Sequence, residues 1–176
     1  MKFNRLIPEL SVSNIEISKR FYLQIGFHIV YERKEDKFAF LELEGNQLMI
    51  EEINDHWSTG LLEYPFGRGI NISMTIDDID SFYIELQKKK IPFFKELMTN
   101  DYEVNGTIYQ DAEFLIQDPD GYLLRFNNWL VSQSIQYFRC DTKFYDFSVV
   151  FFDIIKIGEK MKKLANGLSH VSFLIT

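Results

Sequence analysis

A single cysteine, Cys140, is all the thiol this chain carries, so no internal disulfide can form and a reducing compartment fits. Positive charge is scarce as well: 19 Lys and Arg against 26 Asp and Glu leave a formal net charge of −7. That balance disfavours a nucleic-acid partner, because gripping a phosphate backbone needs a basic footprint. A cationic small molecule would instead be attracted. Long apolar runs are missing too. The most apolar stretch, Phe144 to Ile157, is broken by Asp146, Asp153 and Lys156 and is too short to span a bilayer. Lys2 and Arg5 are not followed by the apolar core of a signal peptide. A soluble, cytoplasmic protein with no membrane partner is the expectation.

What the chain does have is rings. Its 17 Phe and 9 Tyr exceed what a domain this small needs to fill its interior, so some of them are expected to line a pocket. With 176 residues, the chain has room for one domain, or one domain and an extension.

Alternation and turn residues give the order of elements. Leu6 to Val12 reads as a strand; Ser13 and Glu16 form a capping box for a helix that Gly26 stops. Phe27 to Arg33, Phe38 to Leu43 and Gln47 to Ile53 read as three strands. The order then repeats. Ile70 to Ile76 is a strand, Asp77 and Asp78 open a helix over Ile79 to Lys89, and Ile91 to Leu97 is a strand. Glu113 to Gln117 and Leu123 to Trp129 form a hairpin closed by Asp118-Pro119-Asp120-Gly121, where Pro119 presets φ and Gly121 permits a positive one. The segment from Met98 to Gly106 reads as a polar loop, and the linker from Asn54 to Gly69 carries His56, Trp57, Tyr64 and Phe66. The reading is an α+β fold of paired βαβββ modules, residues 1–55 and 68–130, forming a cupped mixed sheet. Residues 131–176 are an extension, with an amphipathic helix expected over Phe144 to Leu164 and a strand over Ser169 to Ile175.

Three segments carry a family resemblance: "IPELSVSNIEISKRFYLQIGFHIVYE", "PFGRGINISMTIDDIDSFYIEL" and "EFLIQDPDGYLLRF". In this order they resemble the vicinal oxygen chelate superfamily of glyoxalases, extradiol dioxygenases and bleomycin resistance proteins. The first two are most similar to the bleomycin resistance branch. Enzymes of that superfamily hold a divalent metal on four strands of the cup, and a catalytic ion needs several imidazole or carboxylate ligands. Those positions fall near Ile7, Glu51, Asn71 and Arg125, and of them only Glu51 could serve; a register error of one would offer only Glu9 or Glu52 in the first module. Arg125 would repel a metal and is expected to pair with Glu51. No metal and no cofactor are therefore expected, and no catalytic constellation stands out.

The resemblance implies a binding protein instead. Bleomycin resistance proteins clamp a flat cationic drug by aromatic stacking in grooves between two subunits. Tyr109 falls at or beside the position of a groove-lining Trp in relatives, while the glycine that often follows is Gln110 here. Trp57, Phe38 and Phe40 are further wall candidates, and Glu51, Asn71 and Arg125 are polar candidates. The expected partners are a bleomycin-like small molecule and a second copy of the chain. A metal-dependent lyase, dioxygenase or thiol transferase, and a module for an endogenous metabolite, are the alternatives.

Overall fold

The computed structural model describes residues 2–57 and 60–131. The expectations for Phe144 to Leu164 and Ser169 to Ile175 lie outside them.

Two βαβββ modules follow one another. The first contains β1 (Glu9–Val12), α1 (Ile15–Gln24), β2 (His28–Arg33), β3 (Phe38–Leu43) and β4 (Asn46–Glu52). The second contains β5 (Asn71–Thr75), α2 (Ile79–Lys88), β6 (Phe93–Val104), β7 (Thr107–Gln117) and β8 (Leu123–Val131). Each module keeps its own four-stranded mixed sheet, ordered β1-β4-β3-β2 and β5-β8-β7-β6. The first strand of each runs parallel to the last, and the other pairs are antiparallel.

Both helices start on side-chain caps. Asn14, not Ser13, caps α1: its Oδ1 accepts from the N–H groups of Glu16 and Ile17. Ser13 is drawn away because its own N–H donates to Asp120 of the other module at 3.1 Å. Asp78 caps α2, as the sequence predicts, accepting from the N–H of Ser81.

The larger departure is the β6–β7 hairpin. Residues read as a polar loop, Met98 to Gly106, continue β6 to Val104 and turn through Asn105 and Gly106 at φ 53° and 79°. Positive φ at both central residues is what a two-residue hairpin turn requires, and Asn-Gly is the pair that supplies it.

One hydrophobic cluster joins the modules. It takes Leu10, Val12, Ala39, Leu41, Leu48 and Ile50 from the first sheet and Met74, Phe114, Ile116, Leu124 and Phe126 from the second. Ile15 and Tyr22 of α1 and Ile79, Phe82 and Leu86 of α2 complete it. Burial at roughly 25 cal/mol per Å² of apolar surface makes this shared core the main source of stability.

Polar contacts fix how the modules meet. The Tyr22 hydroxyl donates to Asp118 Oδ2 at 3.0 Å, and the Tyr122 hydroxyl donates to the Ser11 carbonyl at 3.0 Å. At the other end, Asn46 Nδ2 donates to the Thr75 carbonyl and the Asp77 N–H donates to Glu44, both at 2.8 Å. The Asp118-to-Gly121 turn is thus more than a turn: it anchors the second module on the first. Among the described residues, no helix is long and apolar enough to cross a membrane.

Candidate functional site

Side chains alternate across a strand, so the residues that do not enter the shared core occupy the opposite face of each sheet. On the first sheet this open face carries Glu9 and Ser11 of β1, Met49 and Glu51 of β4, Phe38 and Phe40 of β3, and Tyr31 and Arg33 of β2.

Phe38 and Phe40 sit on that face yet are covered by their own chain. Phe40 is 1% exposed, stacked on Tyr31 at 5.2 Å and met edge-on by Phe3 at 5.5 Å. Phe38 is 3% exposed, beneath the Arg33 guanidinium at 3.8 Å from its ring centre. Phe3 is held there by a short segment in which the Asn4 N–H donates to Gln47 Oε1 and Gln47 Nε2 donates to the Lys2 carbonyl. Glu51 keeps company with Glu9 and Arg33 on its own sheet. Partial desolvation pushes the exposed Glu9 carboxyl up, the charge of Glu51 adds to the rise, and Arg33 opposes it.

The open face of the second sheet carries Asn71, Ser73 and Thr75 of β5, Arg125, Asn127 and Trp129 of β8, Tyr109, Asp111 and Glu113 of β7, and Asn100 and Tyr102 of β6. Arg125 lies at its centre. Its Nη2 donates to Asp111 Oδ2 at 2.8 Å and its Nε pairs with Glu113, which also accepts from Asn100 Nδ2 at 3.0 Å. The expected pairing of Arg125 with Glu51 is therefore corrected. The reason is local: the β7–β8 hairpin brings Asp111 and Glu113 to the same face as Arg125, whereas Glu51 belongs to the other sheet. Burial pushes the fully buried Asp111 carboxyl up, Glu113 pushes it further, and Arg125 pulls it back.

Tyr109 faces Tyr102 across the hairpin, and Tyr102 meets Trp129 at 5.8 Å. These neighbours were not named from the sequence, and the Asn105-Gly106 turn is the signal that would have found Tyr102. Asn71 is exposed at the start of β5. Trp57 is in the linker, where it lines a cavity of about 510 Å³ with Leu61, Leu62, Tyr122 and, from the first-sheet open face, Glu9 and Ser11.

The four positions nearest the expected ligand set divide between the sheets, with Glu51 on the first and Asn71 and Arg125 on the second; Ile7 precedes β1. Among the described residues, no group of three or more His, Cys, Asp and Glu side chains is placed to share a metal ion.

A family model described as the Glyoxalase/Bleomycin resistance protein/Dioxygenase superfamily matches residues 3–126. Among solved structures, a glyoxalase/bleomycin resistance protein/dioxygenase superfamily member from Vibrio splendidus is 30% identical, covering 68% of this chain and 93% of its own, with a TM-score of 0.32. A glyoxalase/bleomycin resistance protein/dioxygenase from Alicyclobacillus acidocaldarius is 23% identical, with 70% and 89% covered and a TM-score of 0.51. A bleomycin-binding protein complexed with bleomycin is 19% identical, with 72% and 98% covered and a TM-score of 0.51. No curated protein matches the sequence.

Proposed function

The chain belongs to the glyoxalase/bleomycin resistance protein/dioxygenase superfamily, and from that premise we propose that it is a metal-independent binding protein that sequesters a small aromatic, cationic compound. A bleomycin-type glycopeptide is the leading candidate, and the cytoplasm is the compartment. The observation that carries this reading is Arg125. A guanidinium bonded to two carboxylates stands where a chelating enzyme of the family would need a ligand, which favours binding over metal chemistry.

The domain runs over residues 1–130, and residues 131–176 extend it. Its ligand groove is built between two chains, from the first-sheet open face of one and the second-sheet open face of the other. Two features support this. The core-facing sides of both sheets share one cluster within the chain, and among the described residues Glu51 acts with Glu9 and Arg33 of its own module and Arg125 with Asp111 and Glu113 of its own. In the groove, Tyr109 supplies the stacking ring, with Trp57 at the linker. Phe38 and Phe40 back the wall, and Glu51, Asn71 and Arg125 set its polarity. A ring contact contributes about 0.5–1.5 kcal/mol beyond area burial, and micromolar binding needs about 8 kcal/mol, so several rings must act together.

Isothermal titration of chelator-treated protein with metal-free and copper-loaded bleomycin tests the reading. The expected result is saturation near about one drug per subunit with the drug recovered unaltered. Absence of binding at high micromolar drug, or conversion of the drug, would overturn it.

A further inference from the structure

The cavity under the linker between β4 and β5 is contained within one chain and combines acid with rings. Glu9 and Asp55 supply the acid, Trp57 and Tyr122 the rings, and Leu61 and Leu62 the remaining apolar wall. Its volume of about 510 Å³ lies within the range of small-molecule pockets.

The two sides of this cavity differ in how firmly they are held. Tyr122 is fixed, partly buried and tied through its hydroxyl to the Ser11 carbonyl at 3.0 Å. Trp57 and Leu61 are 75% and 88% exposed. A Trp and a Leu standing in water beside a cavity are apolar area that an occupant would cover.

Charge selects that occupant. The charged groups acting on Glu9 are Glu51 of the adjoining strand β4 and Arg33 of β2, and Asp55 adds a further acid from the linker. Three carboxylates against one guanidinium leave the region negative, and none of the described residues lining the cavity is basic. A carboxylate beside aromatic rings suits a planar cation, whose N–H groups bond the carboxylate while its face stacks.

From this arrangement we infer that the cavity binds a flat organic cation, an aryl amidinium or guanidinium, with Glu9 accepting its N–H groups and Trp57 stacking on its ring. The site shares Glu9 and Trp57 with the first-sheet side of the proposed groove, but all of its lining comes from one chain and it needs no second copy. It also has a pH signature. Glu9 is exposed, and partial desolvation, reinforced by Glu51 and opposed by Arg33, raises its carboxyl above the ordinary glutamate value. A cation favours the ionised carboxylate, so affinity rises with pH and levels off once Glu9 is ionised.

The chain has two tryptophans, so a Trp129→Phe protein reports on Trp57 alone. Its fluorescence is titrated with benzamidine, benzamide and benzoate, which share one ring and differ in charge. Benzamidine is expected to quench saturably, benzamide about tenfold more weakly, and benzoate not at all. Adding Glu9→Gln is expected to weaken benzamidine about tenfold and leave benzamide unchanged. Equal affinity for benzamidine and benzamide, an unaltered Glu9→Gln titration, or no saturable quenching would each overturn the inference. A chain that discriminates benzamidine from benzamide but binds no bleomycin would refute the groove between chains and uphold this site.

Discussion

Replacing Tyr22 by Phe removes one oxygen from the place where the two modules are bolted together. The Tyr22 ring is fully buried and would stay packed against Phe21 and Phe27. What is lost is the hydrogen bond to Asp118 Oδ2 at 3.0 Å. Burial raises the Asp118 carboxyl from 3.8 to about 6, although the N–H groups of Tyr122 and Asp120 and the Tyr22 hydroxyl all favour its ionised form. Above pH 6 the lost bond is charge-assisted and worth about 1.5–3 kcal/mol; below it the bond is neutral and worth about 1 kcal/mol. Urea unfolding of Tyr22→Phe should therefore show a destabilisation of about 2 kcal/mol at pH 7.5 that shrinks to about 1 kcal/mol at pH 5. The pH dependence contributed by Asp118 itself has the opposite sign. Its folded pKa is raised, so the folded state holds an extra proton between the two values, and this group's contribution falls as pH rises through that window, by about 3 kcal/mol in all. Asp118→Asn keeps a carbonyl for the turn and should flatten that slope. A Tyr22→Phe loss that is equal at both pH values, or below about 0.5 kcal/mol at pH 7.5, would refute the reasoning.

Four other changes bear on the fold. Arg125→Ala strands Asp111 and Glu113, whose side chains are 0% and 7% exposed, and should cost about 3 kcal/mol in urea unfolding at neutral pH, less in acid where the carboxyls can protonate. Gly121→Ala would place a Cβ 2.8 Å from the Pro65 Cα at φ +90°, so a loss of about 2 kcal/mol and a lowered thermal midpoint are expected. Asn14→Ala removes the α1 cap and should cost about 1 kcal/mol, with Ser13→Ala nearly silent because Ser13 contributes its backbone N–H rather than its hydroxyl.

Strongly patterned elements were legible in the sequence because one face of each is buried. β3 is predicted and found over the same residues, Phe38 to Leu43, and α2 starts where Asp78 says it should. The outer half of the β6–β7 hairpin was not legible by alternation, since Tyr102, Val104 and Ile108 are all substantially exposed and no core imposes a period of two. Only its Asn-Gly turn carried the information. The candidate site was legible in part. Arg125 was singled out as the residue at odds with a metal, but its partners were sought at a family position rather than across its own hairpin, where Asp111 and Glu113 stand. Phe38 and Phe40 were placed on a wall, yet nothing in the local sequence says that Phe3, Tyr31 and Arg33 cover them. Those are contacts between segments, which a strand's own periodicity does not encode.

The most direct measurement is a mixing experiment with two chains, Glu51→Lys on the first-sheet face and Tyr109→Ala on the second, each expected to bind bleomycin poorly alone. If each groove joins the first sheet of one chain to the second sheet of its partner, a mixed dimer contains one groove with neither change. Random mixing then restores about one quarter of the sites of the unaltered protein, since about half of the dimers are mixed and each has one intact groove of two. No recovery, with mixed dimers shown to form, would contradict a groove shared between chains.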